Sequence, residues 1–437
     1  MLPTRLTVYL FLCSLLFVPV GAFYPPVVWL VVGYDGCVFL LCFLDALLSR
    51  TGPSALRARR ERPARLSIGT DNQVVLVLEN PTGRPVCVIA RDEPPPAFGV
   101  DPAVLQTTVP PHTSVRLPYL LLPTDRGNFA FGNIYLRCRG PFGLAWTDRT
   151  IDAGETVQVY PNLLEVRRYE ALVRTTLVRA GGYRSRRLPG AGREFSHFRD
   201  YTVDDDYRQV NWKATARRAK PITAVSESEH SQDIIFCLDV GRMMAARVGN
   251  LTKLDHAINA VLMLTHVSQT FQDNLGLLVF SHTVHRYLPP AKGRAQCAQF
   301  LQALYSVQPE LCYVNYREAF QYLIGRHPKR ALTMVFTDLL DRVVSSEYQE
   351  AARLLRRFHL PLTLAVADVP LQNLAARAPQ TQEQLYDILV ARDLLQSRAE
   401  LLQSLERQGV MVLDTVPERL TVDAVNRYLA LKTGAKI

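Results

Sequence analysis

The chain has 437 residues, 48% hydrophobic and 21% charged, a globular mixture long enough for two or three domains with cores of their own, which argues against a disordered polypeptide. The net charge of +10 admits an anionic partner, but much of it lies in two arginine-rich clusters, so its placement says more than its sum. The cysteines (Cys13, Cys37, Cys42, Cys87, Cys138, Cys237, Cys297 and Cys312) include no CxxC pair, which excludes the common zinc patterns and a disulfide framework and fits reduced thiols in the cytosol.

Residues 6–23, LTVYLFLCSLLFVPVGAF, carry no charge, and residues 27–49 are nearly as apolar. Each run approaches the roughly 20 residues of a membrane-spanning helix. The YPP between them makes a turn, since proline removes a donor and restricts its predecessor, so two spans in a tight hairpin are expected. Arg50, Arg57, Arg59, Arg60, Arg62 and Arg65 follow the second span, while the turn between the spans holds no charge. By the positive-inside rule the cluster is cytoplasmic. A rival reading makes the first run a cleaved signal peptide, with Arg5 before it and VGA at 20–22 as the processing site. Either way the second span delivers the main body to the cytoplasm. Asp35, in GYDG inside the second span, is an intramembrane carboxylate and so a functional candidate by default, against the plainer reading that its flanking glycines let it reach water.

From 66 to 160 the pattern changes to short alternating runs, QVVLVLEN, VCVIAR, TSVRLPYLLL and VQVYP, separated by NPTGRP, DEPPP and TDRGN. Such period-two alternation between turn-forming clusters predicts an antiparallel all-β domain of the sandwich kind, with no catalytic constellation in it. After Ser231 strands and helices alternate. DIIFCLDV, LGLLVF, ALTMVFTD, LPLTLAVADV and VMVLDTV read as strands, and KLDHAINAVLMLTHVSQTF, the region around 295–325, SEYQEAARLLRRF, 381–408 and the end as helices. Apolar strands alternating with amphipathic helices predict an α/β doubly wound, mainly parallel sheet, in which ligands bind at the carboxyl ends of strands.

Two of those ends carry candidate chemistry: Asp239 in LDVGRMM, and Thr337 with Asp338 in FTDLLD. Here the sequence resembles the von Willebrand factor A-like fold, whose adhesion site places Asp-x-Ser-x-Ser after the first strand and adds a threonine and an aspartate from other loops. Gly241 and Met243 stand at the two serine positions, so two hydroxyl ligands are missing. Magnesium wants hard oxygen donors, which a thioether does not replace, so Asp239, Thr337 and Asp338 form a degenerate site and no cofactor beyond a weakly held Mg2+ is expected. The plainer role for these carboxylates is capping of nearby backbone amides.

The segment 192–220, GREFSHFRDYTVDDDYRQVNWKATARRAK, resembles the signature of the family known as domain of unknown function fifty-eight, met here by Gly192, Glu194, Phe195, Arg199, Tyr201, Asp205, Asp206, Arg208, Trp212, Lys213, Ala216 and Arg217. Asp204 stands where that family usually has glycine, and aspartate is among the few residues that tolerate a positive φ. The resemblance extends to RGNFAFG, GPFGLAW, the amino-terminal hairpin and ERLTVDAVNRYLALK. It implies a partner of the MoxR-type AAA+ ATPases with a role in complex assembly or maturation. The ATPase would be a separate protein, because the chain has no GxxxxGK loop. A metal-dependent hydrolase built on Asp204, Asp205, Asp206 and His197 lacks an HExxH spacing or an assigned nucleophile and base. Nucleic acid or another anionic surface is the remaining alternative, from Arg184, Arg186, Arg187, Arg193, Arg217, Arg218 and Lys220, but the five acids of the segment oppose it. A brace explains both signs of charge: Asp205 and Asp206 pair with arginines while Trp212 packs between domains.

The expected organisation is a transmembrane hairpin at 1–50, an Arg-rich cytoplasmic linker at 51–65, a β-sandwich at 66–160, a linker with the signature motif at 161–231 and a von Willebrand factor A-like domain at 232–437. The expected protein is a non-enzymatic, multi-pass plasma-membrane protein with its main body in the cytoplasm, contacting the bilayer and a protein partner and no nucleic acid.

Overall fold

A computed structural model describes residues 2–21, 23–50, 56–161, 194–202, 207, 210–218, 220–227, 232–340 and 342–433. The chain divides into two units, Met1–Tyr160 and Pro161–Ile437.

In the first unit the leading apolar run does not make a spanning helix. It forms α1 (Arg5–Leu15), breaks at Leu16 and Phe17, and resumes for one turn as α2 (Val18–Gly21). Pro19 accounts for the break, because it has no N–H to give the Leu15 carbonyl four residues back. At 1.5 Å per residue α1 spans about 16 Å, roughly half the hydrocarbon thickness. The second run is a continuous helix, α3 (Pro25–Arg50), whose Pro26–Leu48 stretch is, among the described residues, the one helix long and apolar enough to cross a membrane. The expected pair of spans is thus one long apolar helix and a broken, shorter arm.

The strands of this unit are β1 (Leu2–Pro3), β2 (Arg57–Glu61), β3 (Leu66–Ser67), β4 (Asn72–Asn80), β5 (Val86–Asp92), β6 (Phe98–Asp101), β7 (Leu105–Val109), β8 (Thr113–Pro123), β9 (Gly127–Phe131), β10 (Ile134–Arg139), β11 (Ala145–Ile151) and β12 (Glu155–Tyr160). They form sheets ordered β1-β11-β10-β5-β7, β2-β4-β8-β6 and β3-β12-β9, a β-sandwich. Alternation places its core: in β10, Ile134, Leu136 and Cys138 are buried while Tyr135, Arg137 and Arg139 face water. The stretch 51–65, expected as a linker, instead contributes β2, paired antiparallel with β4. Its arginine-rich pattern hid a strand, because Arg60 turns inward to an ion pair rather than outward to solvent.

The same unit ties α3 to the sandwich. The Asp45 carboxylate, buried near the end of α3, accepts the N–H of Phe142 (2.7 Å), Leu144 (2.8 Å) and Ala145 (2.9 Å). Thr4 donates to the Gly143 carbonyl at 2.8 Å, and Thr7 to that of Leu144 at 2.5 Å. Gly140 is required here: a Cβ would lie 2.4 Å from the Asp45 carboxylate.

In the second unit, β13 (Glu194–Asp200) and β14 (Ile222–Glu227) pair antiparallel, with α4 (Trp212–Arg218) between them in sequence, so 161–231 is more than the expected linker. A mixed α/β domain with a mostly parallel sheet follows. Its strands, β15 (Asp233–Asp239), β16 (Asn274–Phe280), β17 (Val284–Ala291), β18 (Leu332–Thr337), β19 (Leu360–Val366) and β20 (Met411–Thr415), lie in the order β17-β16-β15-β18-β19-β20, only β17 being antiparallel. Alternate residues of β15 serve two cores. Ile234, Phe236 and Leu238 meet α5 (Lys253–Thr270), α6 (Arg294–Leu304) and α11 (Leu420–Thr433). Ile235 and Cys237 meet α7 (Tyr316–Arg326), α8 (Arg342–Phe358) and α10 (Gln382–Arg407). Burial on both faces is why these strands read as unbroken apolar runs. The short α9 (Val369–Ala376) and the edge strand β17, with Pro289 and Pro290, were not expected from the sequence.

Candidate functional site

The carboxyl ends of β15 and β18 are neighbours in the sheet, so Asp239, Thr337 and Asp338 come to one rim as the sequence placed them. Thr337 Oγ1 donates to Asp239 Oδ2 at 2.6 Å, and the Gly241 N–H reaches Asp239 Oδ1 at 2.7 Å. The Tyr316 hydroxyl, on the first residue of α7, lies 3.0 Å from the same Oδ2 and 2.7 Å from Thr337 Oγ1. Burial pushes the Asp239 carboxyl up to about 6, against the opposing hydrogen bonds from Thr337, Gly241 and Tyr316.

Asp338 faces a different partner. The ammonium of Lys253, the first residue of α5 and fully buried, lies 2.7 Å from Asp338 Oδ2 and 2.7 Å from Asp368 Oδ2. Burial raises the Asp338 carboxyl, with Lys253 opposing. At Asp368 burial also works against the charge, but the Lys253 ammonium and the Leu371 N–H outweigh it and hold that carboxyl below its ordinary value.

These residues do not fit magnesium. A cationic side chain already neutralises Asp338, and the remaining space beside Asp239, Asp338, Met243 and Val314 is ≈ 10 Å³, the size of a single water. A Cβ at Gly241 would lie 2.3 Å from Val314 Cγ2, so a serine ligand cannot be restored there without moving Val314. Among the described residues no group of three or more His, Cys, Asp or Glu is arranged to hold a metal.

Of the signature residues, Glu194, Phe195 and Arg199 lie on β13, Tyr201 just beyond it, and Trp212, Lys213 and Arg217 on α4. Arg199 Nη1 donates to Thr202 Oγ1 at 3.3 Å. Asp205, Asp206 and Arg208, with Asp204, lie outside the described residues, and with them the ion pairs of the expected brace. Trp212, the first residue of α4, is 71% exposed. The Ala214 N–H donates to Asn211 Oδ1 at the start of α4, and Thr215 Oγ1 accepts the Ile222 N–H, which ties the helix to β14, while Trp212, Lys213 and Arg217 are exposed. A cleft of ≈ 390 Å³ beside them is lined by Phe198, Asn211, Lys213, Ala214, Arg217, Arg218 and Ile222.

Sequence reasoning missed Lys253, Tyr316 and Asp368, and also a trio at the end of β16. Ser281 Oγ lies 2.7 Å from His285 Nε2 and donates to Glu310 Oε2 at 2.7 Å, while His285 Nε2 is 3.2 Å from that same oxygen. The grouping has the residue types of a nucleophilic triad but not its wiring. A triad's acid holds the imidazole nitrogen that faces away from the serine, whereas here one nitrogen meets both partners and Ser281 is buried. It is a polar clasp.

Fold and rim together define a protein with one long apolar amino-terminal helix, a β-sandwich and a mixed α/β domain whose rim is closed by its own side chains. Residues 197–376 match the family described as "Protein of unknown function DUF58", and the chain carries a domain of that family there. No curated protein matches the sequence. Among solved structures, the CARDB domain of a Pyrococcus furiosus protein is 14% identical over 24% of this chain and 93% of its own, with a TM-score of 0.18. The MSP-domain-like protein SSP-19 of Caenorhabditis elegans is 9% identical over 23% of this chain and 98% of its own, TM-score 0.18. A FixG-related protein from Vibrio parahaemolyticus is 12% identical over 25% and 98%, TM-score 0.17. Scores this low carry no argument about fold or function.

Proposed function

We propose that this protein is a membrane-anchored, cytoplasmic protein-interaction module that serves as an adaptor for a separate MoxR-type AAA+ ATPase in complex assembly or maturation. The ATPase partner comes from the family resemblance. The observation that carries the interaction reading is the outward-facing aromatic and basic surface of the family domain. There Trp212 is 71% exposed, with exposed Phe198, Tyr207, Lys213 and Arg217. Exposed aromatics of this kind are enriched at interfaces, and the lysine and arginine favour an acidic partner surface.

We read the α/β domain as von Willebrand factor A-like, supported by its sheet order and by the aspartates and threonine at the carboxyl ends of β15 and β18. We read the amino-terminal segment as a hairpin. Thr4 and Thr7 at the start of α1 and Asp45 near the end of α3 all hold the loop at 140–145, so the chain enters and returns on one side. Arg57, Arg59, Arg62 and Arg65 follow on that side, which favours the cytoplasm.

The test is co-purification of the full chain and of Trp212→Ala/Lys213→Glu from solubilised membranes, with bound proteins quantified by mass spectrometry. An ATPase enriched with the wild type and lost from the variant supports the proposal. An unchanged partner set overturns it, and salt-sensitive nucleic acid in its place favours the anionic-surface alternative.

A further inference from the structure

At the end of α3 the first unit holds a cavity of ≈ 380 Å³ unlike the apolar surfaces around the helix. Arg84 on the turn between β4 and β5, Arg139 at the end of β10 and Arg149 on β11 line it, together with Leu48, Leu56 and Cys138. Among the described residues none of the three arginines has an ion-pair partner. Arg139 reaches only the Gly143 carbonyl, at 3.3 and 3.4 Å. Arg84 and Arg139 are exposed and Arg149 is half-buried, so three guanidinium groups stand open at one cavity without a counter-charge, and the guanidinium fork matches phosphate oxygens.

The position of the cavity identifies the source of that phosphate. Leu48 closes the apolar Pro26–Leu48 stretch, so an α3 that crosses the membrane sets the cavity at the level of the headgroups. That level is fixed and not left to a loose tether, because Asp45 binds the three N–H groups of the 142–145 loop that Arg139 adjoins. Leu48 and the buried Leu56 give the cavity an apolar wall, of no use to a free ion but suited to the glycerol and first acyl carbons of a lipid. Cys138 adds a neutral wall, its buried thiol pushed up to about 11.

We propose that this cavity is a binding site for the phosphate headgroup of an anionic phospholipid, clamped by Arg84, Arg139 and Arg149. The proposal rests on the membrane-anchor reading above. It orients the sandwich on the bilayer surface and makes the protein selective for anionic lipid, which a hydrophobic helix alone does not.

The test uses the full chain. Carbonate extraction of membranes comes first, for the wild type, Arg84→Gln/Arg139→Gln/Arg149→Gln and the charge-matched control Arg286→Gln/Arg294→Gln/Arg330→Gln at exposed positions of the second unit, followed by native mass spectrometry of each protein from nanodiscs of mixed phosphatidylglycerol and phosphatidylcholine. All three proteins should stay with the membrane, and the wild type and control should retain phosphatidylglycerol selectively. Loss of each arginine should weaken that retention about fivefold. A single Arg84→Gln variant, in which only an exposed turn side chain changes, guards against misfolding of the triple variant. Phosphatidylglycerol retention equal in triple variant and control overturns the lipid site while leaving the anchor intact. Millimolar inorganic phosphate that displaces the lipid from the wild type makes the ligand a soluble phosphate and overturns the lipid source. A wild type released by carbonate overturns the anchor reading and, with it, this proposal.

Discussion

Both units bury a basic side chain against carboxylates, and they do so with different cations. In the sandwich Arg60, 2% exposed at its side chain, sets Nε on Asp92 Oδ2 at 2.8 Å and gives Nη1 to the Ala153 carbonyl at 2.9 Å and Glu155 Oε1 at 3.1 Å. Its Nη2 reaches the Gly132 carbonyl at 3.1 Å. The planar fork thereby joins β2 to the end of β5 and to the turns before β10 and β12. In the α/β domain Lys253 concentrates its charge at one point between Asp338 and Asp368. The arginine is a staple whose value is geometric; the lysine stands as a compact ion at a strand-end rim, where the sequence suggested a degenerate metal site with carboxylates that cap backbone amides. Carboxylates gathered at strand ends can therefore take their cation from the chain itself.

That contrast breaks most visibly at Lys253. Lys253→Met should cost about 3–5 kcal/mol of unfolding free energy, because it strands buried Asp338 without a counter-charge. Adding Asp338→Asn should restore part of the loss, measured as a double-mutant cycle by urea unfolding of the solubilised full chain. An equal loss in both variants would mean that the ammonium is not acting on Asp338. Millimolar magnesium should leave the wild-type unfolding midpoint where it is. A rise abolished by Asp239→Ala would show a metal at the rim after all.

A somewhat smaller effect separates Asp239 from its neighbours by pH. Its folded value of about 6 against an ordinary 3.8 is worth on the order of 3 kcal/mol. Above pH 6 the folded state bears the cost of the buried charge. As pH falls from 6 toward 4 the folded state takes the proton first, and stability rises. His359, buried beside His327 and pushed down to about 4 by burial and by that neighbour, does the opposite: the unfolded state protonates first, and stability falls from pH 6.5 toward 4. The wild type should show a shallow slope in this window, Asp239→Asn a steeper acid loss and His359→Gln a gain. Unfolding midpoints that move together in the two variants would refute the assignment.

Arg60→Lys tests the staple itself. A lysine keeps the charge but cannot serve Asp92, Glu155 and the Gly132 and Ala153 carbonyls together, so the change should cost about 1–3 kcal/mol. A neutral result in thermal unfolding would make charge, and not fork geometry, the relevant property.

The same residues show what was legible in the sequence. DIIFCLDV reads as a strand because both of its faces are buried, and the rim aspartates follow from where parallel strands end. Lys253 gave no such signal: at the start of an amphipathic helix it looks like an ordinary surface lysine, and its partners lie 85 and 115 residues away. RARRE, the sequence of β2, shows no apolar alternation, since the inward residue that defines its register is itself an arginine. Hydropathy located α3, but the length of the first apolar run concealed the break that Pro19 imposes.

The smallest stability change is expected at Trp212, where the two readings of the signature segment part. A tryptophan packed in a core would cost about 3–5 kcal/mol on truncation to alanine. At 71% exposure, Trp212→Ala should stay within about 0.5 kcal/mol of the wild type in unfolding and leave proteolysis of the second unit unchanged. Under the proposed adaptor role, recovery of a partner protein should nonetheless fall, because an exposed indole beside Lys213 and Arg217 would then be a binding contact. A loss of several kcal/mol would return Trp212 to a bracing role. Unchanged stability with unchanged partner recovery would place the docking surface elsewhere on the domain.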